Sequence, residues 1–354
     1  MVSLPPLWKI RREAAKIPNQ TKKIGALAVS RSRKARHDRE KWEQISLREG
    51  GIAPSRKVAI FLIFQPGKVL ESTLFTLKHL TSNGYAPLLV SNCPLSFEDH
   101  ARLGPLCWKI MQRPNIGYDF GGYRDGIEYL KGENNFPDCL LVLNDSIWFP
   151  TREDTDILEQ MESRKSDVVG MALNRSNRPH IQSFFFLFKG IISDPAFLDY
   201  WEKLPLYDHK RLVVKRCEIG MTGALENLGY STECIFEIEQ AWNVVRSMDR
   251  SSLLEFISYM KTAEIGKRQE IGSLEKLVRS DQDWSQELNI CIERGVFGSY
   301  LPTLDPRLLF ETLGFPALKK VKEHKYEVQR RYFLEANISN RLDKSVLREI
   351  QNWS

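Results

Sequence analysis

Long apolar runs are missing from this sequence. Nowhere do eighteen apolar residues follow one another, so no bilayer-spanning helix is expected. Cysteine is sparse, and its six copies, Cys93, Cys107, Cys139, Cys217, Cys234 and Cys291, contain no close pair. That excludes zinc-finger spacings and gives no sign of a disulfide framework. The opening MVSLPPLWKIRREAAK is basic but lacks the apolar core of a secretory signal, so a cytoplasmic protein is expected. No G-x-x-x-x-G-K-S/T loop occurs, and the turn after the first apolar run, FQPGKVLES, has one glycine where a dinucleotide fold needs several. H-E-x-x-H and G-x-S-x-G are also absent, which removes zinc peptidases and α/β-hydrolases from consideration.

What is present is charge, unevenly placed. The net charge is +6, whereas residues 1–44 hold twelve Lys/Arg and four Asp/Glu, so 12 − 4 = +8. The remainder is 6 − 8 = −2, so the basicity belongs to the N-terminal segment. A basic tail with interspersed apolar residues suits contact with an anionic membrane surface, and a solvated tail is the alternative. Nucleic acid is a poor partner for it, because the nearly neutral body offers no basic stripe.

Residues 48–56, REGGIAPSR, read as a linker. KVAIFLIF (57–64) is a strand buried on both faces, and a helix with Leu70, Leu74, Leu77 and Leu80 on one side follows, closed by Gly84. APLLVSNC (86–93) is the next strand, so the chain opens a βαβ unit with parallel pairing. CWKIMQR (107–113), CLLVL (139–143), DVVGMAL (167–173) and IQSFFFLF (181–188) read as further strands. Residues 213–230 read as extended, turning into a helix closed by Gly229. Beyond about residue 250 the periods are helical, with Ser251, Ser273 and Asp305 as capping residues.

Chemistry concentrates between Asn115 and Pro150. Gly117, Gly121, Gly122 and Gly126 surround one turn and helix start, and each costs about 1 kcal/mol inside a helix relative to alanine. Close approach of a nucleotide would explain them; taken alone, tight packing with a left-handed turn is the simpler account. Asp119 beside them is placed to accept a hydrogen bond from a base imide or ribose hydroxyl, or to cap the helix. Asn144-Asp145-Ser146 leaves the apolar strand at its carboxyl end, where open α/β sheets bind ligands. Its oxygens suit Mg²⁺ or Mn²⁺ with Asp145 as the carboxylate, or a plain Asx turn. Glu218 stands where a carboxylate can deprotonate an acceptor hydroxyl, and equally where a helix dipole favours one. His180 is a secondary candidate only.

The string NIGYDFGGYRDGI, followed by LVLNDSIWFP, HIQSFFF, CEIGMT and LGFPALKK, resembles the rhamnan synthesis protein F family over roughly residues 57–325. That resemblance implies a bacterial glycosyltransferase of cell-surface polysaccharide assembly. It implies a GT-A-like (Rossmann-like) α/β fold: a mixed, mainly parallel sheet flanked by helices, with a helical C-terminal region. The expected partition is a basic tail and linker over 1–54, the catalytic domain over 55–250 and the helical region over 251–354. The implied partners are a nucleotide sugar, typically dTDP-L-rhamnose, and a lipid-linked glycan at the cytoplasmic membrane face. Asn115, Gly117, Asp119 and Gly122 match the first motif, Asn144, Asp145 and Ser146 the second, and Glu218 the third. The Asn-Asp-Ser triplet stands where broader GT-A enzymes carry Asp-x-Asp, with Asn and Ser at the outer positions. The expected mechanism is inverting: Glu218 is the base, the donor's diphosphate lies near Asp145, and a divalent cation or a basic side chain such as Arg124 offsets its charge. A non-catalytic module that binds a nucleotide sugar or glycan is the alternative.

Overall fold

A computed structural model describes residues 17–134, 136–175, 178–280, 282–335, 338 and 342–353, with side-chain surroundings from residue 29 onward. The run Lys57–Ile63 forms β2, buried at every position but the first. It pairs in parallel with Ala86–Ser91 (β3) on one side and Cys139–Asn144 (β5) on the other. Lys109–Gln112 (β4) extends the parallel set beyond β3, and Ser46–Glu49 (β1) closes that edge antiparallel to β4. On the far side Phe185–Lys189 (β9) runs antiparallel between β5 and Val168–Asn174 (β7), and Thr232–Phe236 (β10) lies parallel to β7. His180–Ile181 (β8) pairs with β7 off the main path. The order β1-β4-β3-β2-β5-β9-β7-β10 is the expected mixed, mainly parallel sheet.

Period-two alternation along β2 divides its side chains between two cores. Ala59, Phe61 and Ile63 face the helix Glu71–Ser82 and the C-terminal helices, which contribute Phe256, Phe310 and Phe333 to the same core. Val58, Ile60 and Leu62 face the helices Tyr118–Gly132, Pro195–Lys203 and Ile219–Asn227. The region beyond residue 250 is helical as expected and forms the layer over one face of the sheet.

Four local expectations give way. First, the basic segment is a helix from Ile17 to Gln44, and Ser30, His37 and Lys41 are buried against the body. Residues 1–16 lie outside the described residues. Second, the linker begins with β1, whose backbone completes the sheet edge although its side chains are exposed. Third, residues 213–218 are not extended: Val214–Glu218 is a π-helical turn running into the helix Ile219–Asn227. Fourth, Asp249, not Ser251, caps the helix Arg250–Ala263, and Ser273 lies inside the helix Arg268–Arg279. Asp305 does cap, accepting from the Arg307 and Leu308 amides. Gly84 and Gly229 close their helices with φ of 80° and 94°. Among the described residues no helix is long and apolar enough to cross a membrane.

Candidate active site

The chain passes from β2 through β3 to β4 on one side, then returns to place β5 on the other side of β2. That reversal is the topological switch point of an open sheet, and a crevice opens there at the strands' carboxyl ends. Asp145, the first residue after β5, bridges it. One carboxylate oxygen accepts from the Phe64 amide and from Gln65 Nε2, both at 2.9 Å, so it ties the end of β5 to the loop leaving β2. Burial raises its carboxyl, while Lys320 and these two donors oppose the rise.

Asn144 precedes it and forms the hub of an Asx turn. Its Oδ1 accepts from the Ser146 amide at 3.1 Å and the Ser146 hydroxyl at 2.6 Å, and its Nδ2 donates to Asp119 Oδ2 at 3.1 Å. Asp119 reaches this point because two successive residues, Gly117 (φ 77°) and Tyr118 (φ 52°), adopt left-handed conformations at the start of the helix Tyr118–Gly132. A left-handed non-glycine residue is costly and concentrates at functional sites. Burial, then the neighbouring Asp145 and Glu218 charges, pushes the Asp119 carboxyl up to about 6, against the pull of Lys319 and Lys210.

The glycines are accounted for by packing. A Cβ on Gly122 would lie 2.0 Å from Leu62 Cδ1, on Gly121 1.9 Å from the Ile116 carbonyl oxygen, and on Gly126 3.0 Å from Ile60 Cδ1. Gly122 and Gly126 let this helix settle onto β2, and Gly121 lets the preceding turn fold close against it, which together set the height of Asp119.

Glu218 enters from across the crevice at the end of the π-helical turn, an element often found at functional sites. It is half-buried and has neither a hydrogen bond nor an ion pair among the described residues. Its charge is felt by Asp119, by Lys319 and by Tyr300.

Lys319 and Lys320 close the fourth side. Both belong to the LGFPALKK stretch, where the sequence by itself assigns them no role. Leu318–Lys319 (β11) pairs antiparallel with Ile147–Trp148 (β6), Lys319 opposite Ile147, so a segment far along the chain lands beside Asp145. Lys320 is spent on structure: its Nζ donates to Ser72 Oγ at 2.8 Å and lies 3.3 Å from Glu349, and its amide donates to the Ser146 carbonyl at 2.8 Å. Glu349 also accepts from Trp148 Nε1 at 2.8 Å and from the Ser72 amide at 3.0 Å, so the helix Lys344–Gln351 holds this corner together. Lys319 Nζ sits 3.8 Å from the centre of the buried Phe184 ring. Burial brings its ammonium down to about 8, with Glu218 and Asp119 resisting.

Two expected residues lie elsewhere. Arg124 cannot offset charge at the crevice: its guanidinium is buried against the N-terminal helix, 2.7 Å from Asp38 and from Glu128, and donates to the Trp201 and Glu202 carbonyls at 3.1 Å. Asn115 is exposed and lines a cavity of about 370 Å³ with Arg33, Arg36 and Asp208, which contains none of the three carboxylates. His180 supports the site indirectly. Its Nδ1 contacts the Arg178 carbonyl at 2.7 Å and its Nε2 the Gln182 amide at 3.3 Å, while Gln182 accepts from the Tyr300 hydroxyl at 2.7 Å.

The triplet does not make a divalent-cation site by itself. Asn144 Oδ1 is taken by Ser146 and Asp145 Oδ2 by Phe64 and Gln65. Among the described residues no group of three His, Cys, Asp or Glu side chains could hold a metal ion.

The family model described as rhamnan synthesis protein F matches residues 88–263. The uncharacterized protein y4gN of Sinorhizobium fredii is 32% identical over 351 residues, covering 98% of this chain and 91% of its own. Among solved structures, a glycosyltransferase involved in the glycosylation of the major capsid of PBCV-1 is 10% identical. It covers 46% of this chain and 76% of that one at a TM-score of 0.29. The glycosyltransferase GlyE of Streptococcus pneumoniae TIGR4 is 14% identical, covering 68% of this chain and 64% of that one at a TM-score of 0.34.

Proposed function

The chain belongs to the rhamnan synthesis protein F family, and from that premise we propose that it is a glycosyltransferase of polysaccharide synthesis. Its donor is a nucleotide sugar, with dTDP-L-rhamnose the first to test, and its acceptor is a lipid-linked glycan. The observation that carries the reading is convergence. Asp119, Asp145, Glu218 and Lys319 come from four separate segments and meet at the switch point between β2 and β5. A packing core needs no such meeting of charges, and a site for a polar, anionic substrate does.

In this reading the donor lies along the carboxyl ends of β2 and β5. Asp119 accepts a hydrogen bond from a donor hydroxyl or base imide, and the loop held by Asp145 and Gln65 forms the floor. Glu218, unpaired and facing the crevice, takes the proton of the acceptor hydroxyl as its oxygen bonds to the anomeric carbon. The bond from that carbon to the diphosphate oxygen breaks on the opposite side, so the configuration inverts.

A screen of nucleotide sugars by thermal shift tests this directly. The true donor binds the native state and raises its melting temperature, since stabilisation follows RT ln(1 + [L]/Kd). Release of nucleoside diphosphate from that donor then separates an enzyme from a binding module. Stabilisation without turnover toward any acceptor supports the module, and no stabilisation by any donor overturns both.

Asp119 also sets an acid limb. Its raised carboxyl, at about 6, is ionised above that pH and neutral below it, so donor affinity should fall as pH drops through 6. Asp119→Asn should lower affinity and flatten the limb. A limb that persists unchanged in Asp119→Asn would assign it to another group.

A further inference from the structure

We propose that Lys319 is the diphosphate contact of the crevice, its ammonium taking a phosphate oxygen of the donor, while Lys320 anchors the segment that presents it. This rests on the nucleotide-sugar reading above. The crevice gathers three carboxylates, Asp119, Asp145 and Glu218, and a diphosphate brought among them needs a cation. Arg124 is committed to Asp38 and Glu128, and Lys320 to Ser72 and Glu349. Lys319 is not committed. Among the described residues its ammonium has no hydrogen bond or ion pair, and it rests on the Phe184 ring at 3.8 Å.

A half-buried ammonium with no direct hydrogen bond or ion pair keeps its donors free for an incoming anion. Its placement is firm. The strand pair β6–β11 fixes Lys319 opposite Ile147, two residues beyond Asp145. Phe184 is held in turn, because its carbonyl accepts from the Asn144 amide at 3.2 Å. The lysine is thus registered against the same turn that carries the Asn-Asp-Ser triplet. Lys210, exposed on the short helix Lys210–Val213, is the other cation felt by both Asp119 and Lys319.

Calorimetric titration of the full chain with thymidine diphosphate, uridine diphosphate and the parent nucleosides tests the assignment, using wild type, Lys319→Gln and Lys319→Arg. Loss of a charge-assisted hydrogen bond predicts that Lys319→Gln binds its nucleoside diphosphate about ten- to a hundred-fold more weakly. Nucleoside affinity and melting temperature should be unchanged, and Lys319→Arg should recover most of the loss. Wild-type diphosphate affinity in Lys319→Gln overturns the proposal and leaves the glycosyltransferase reading standing. Equal losses for nucleoside and diphosphate overturn it too, since they would mark a distorted site. A wild-type protein that binds neither nucleotides nor nucleotide sugars removes both readings together.

Discussion

Glu218→Gln is expected to slow sugar transfer by about 10² to 10⁴-fold, the usual contribution of a positioned general base, without loosening the fold. Removing most crevice residues would cut internal bonds. Asp145→Ala would release the Phe64 amide and Gln65, and Asn144→Ala would break the Asx turn and free Asp119. Those variants confuse chemistry with architecture. Glu218 holds up nothing among the described residues, so the amide variant changes charge and proton affinity and little else. Donor binding should survive, and could strengthen, because one of the three carboxylates facing the diphosphate has been neutralised. The signature is therefore a collapse of kcat with an unchanged or lower donor Kd. Turnover at the wild-type rate would remove Glu218 from the mechanism, and loss of donor binding in step with turnover would recast it as a binding residue.

Asp125→Ala should cost about 3–5 kcal/mol of stability, the usual consequence of stripping one partner from a buried ion pair. Asp125 lies on the face of the helix Tyr118–Gly132 turned away from solvent, with its side chain fully enclosed. It accepts from Arg113 Nε at 2.6 Å and contacts His37 Nε2 at 2.9 Å. Arg113 also holds Asn92 at 2.6 Å and the Ile116 carbonyl at 2.8 Å, so the same cluster supports the turn that delivers Asp119. Without the carboxylate, the Arg113 guanidinium is left as a buried charge with no anionic partner.

The pH dependence of stability has a definite sign. Burial would raise the Asp125 carboxyl, but Arg113 and His37 outweigh it and hold it at about 2. A folded-state value below the unfolded one stabilises above roughly pH 4. That contribution fades as pH falls toward 2. Urea denaturation of wild type and variant at pH 7 and pH 3 measures both effects, and protease sensitivity of residues 17–44 reports whether the N-terminal helix lets go. A penalty under about 1 kcal/mol would show the cluster to be peripheral to stability.

The sheet was legible because its signal is apolar and local. Val, Ile, Leu and Phe in unbroken runs can be satisfied only between two layers, and Lys57–Ile63 and Cys139–Asn144 occupy that place. The N-terminal helix was not, because it docks through polar side chains. His37 on Asp125 and Arg124 on Asp38 look in sequence like solvated charges, and no periodicity separates a paired charge from a free one. The same blindness misplaced Arg124. The crevice divides likewise. Asn144 and Asp145 could be read from their position at a strand's end, and Asp119 from the turn before it. Lys319 could not, since its meaning comes from pairing with Ile147, and a two-residue strand leaves no pattern. The one sign in the sequence was that LGFPALKK stands among the stretches that carry the family resemblance, which marked the lysines without stating their task. Glu218 was picked out on a wrong backbone picture; its π-helical turn carries no residue signature that separates it from an ordinary helix start.

The pairing of β6 with β11 also has a consequence in time. Asp145 and Lys319 are 319 − 145 = 174 residues apart. At a synthesis rate of about 5–20 residues per second, the lysine leaves the ribosome on the order of ten to thirty-five seconds after the turn it will pair beside. Throughout that interval the nascent sheet carries its acidic crevice edge with the fourth wall still unmade. In the proposed reading, competence for an anionic substrate therefore waits until Leu318 and Lys319 have been made and can pair with Trp148 and Ile147.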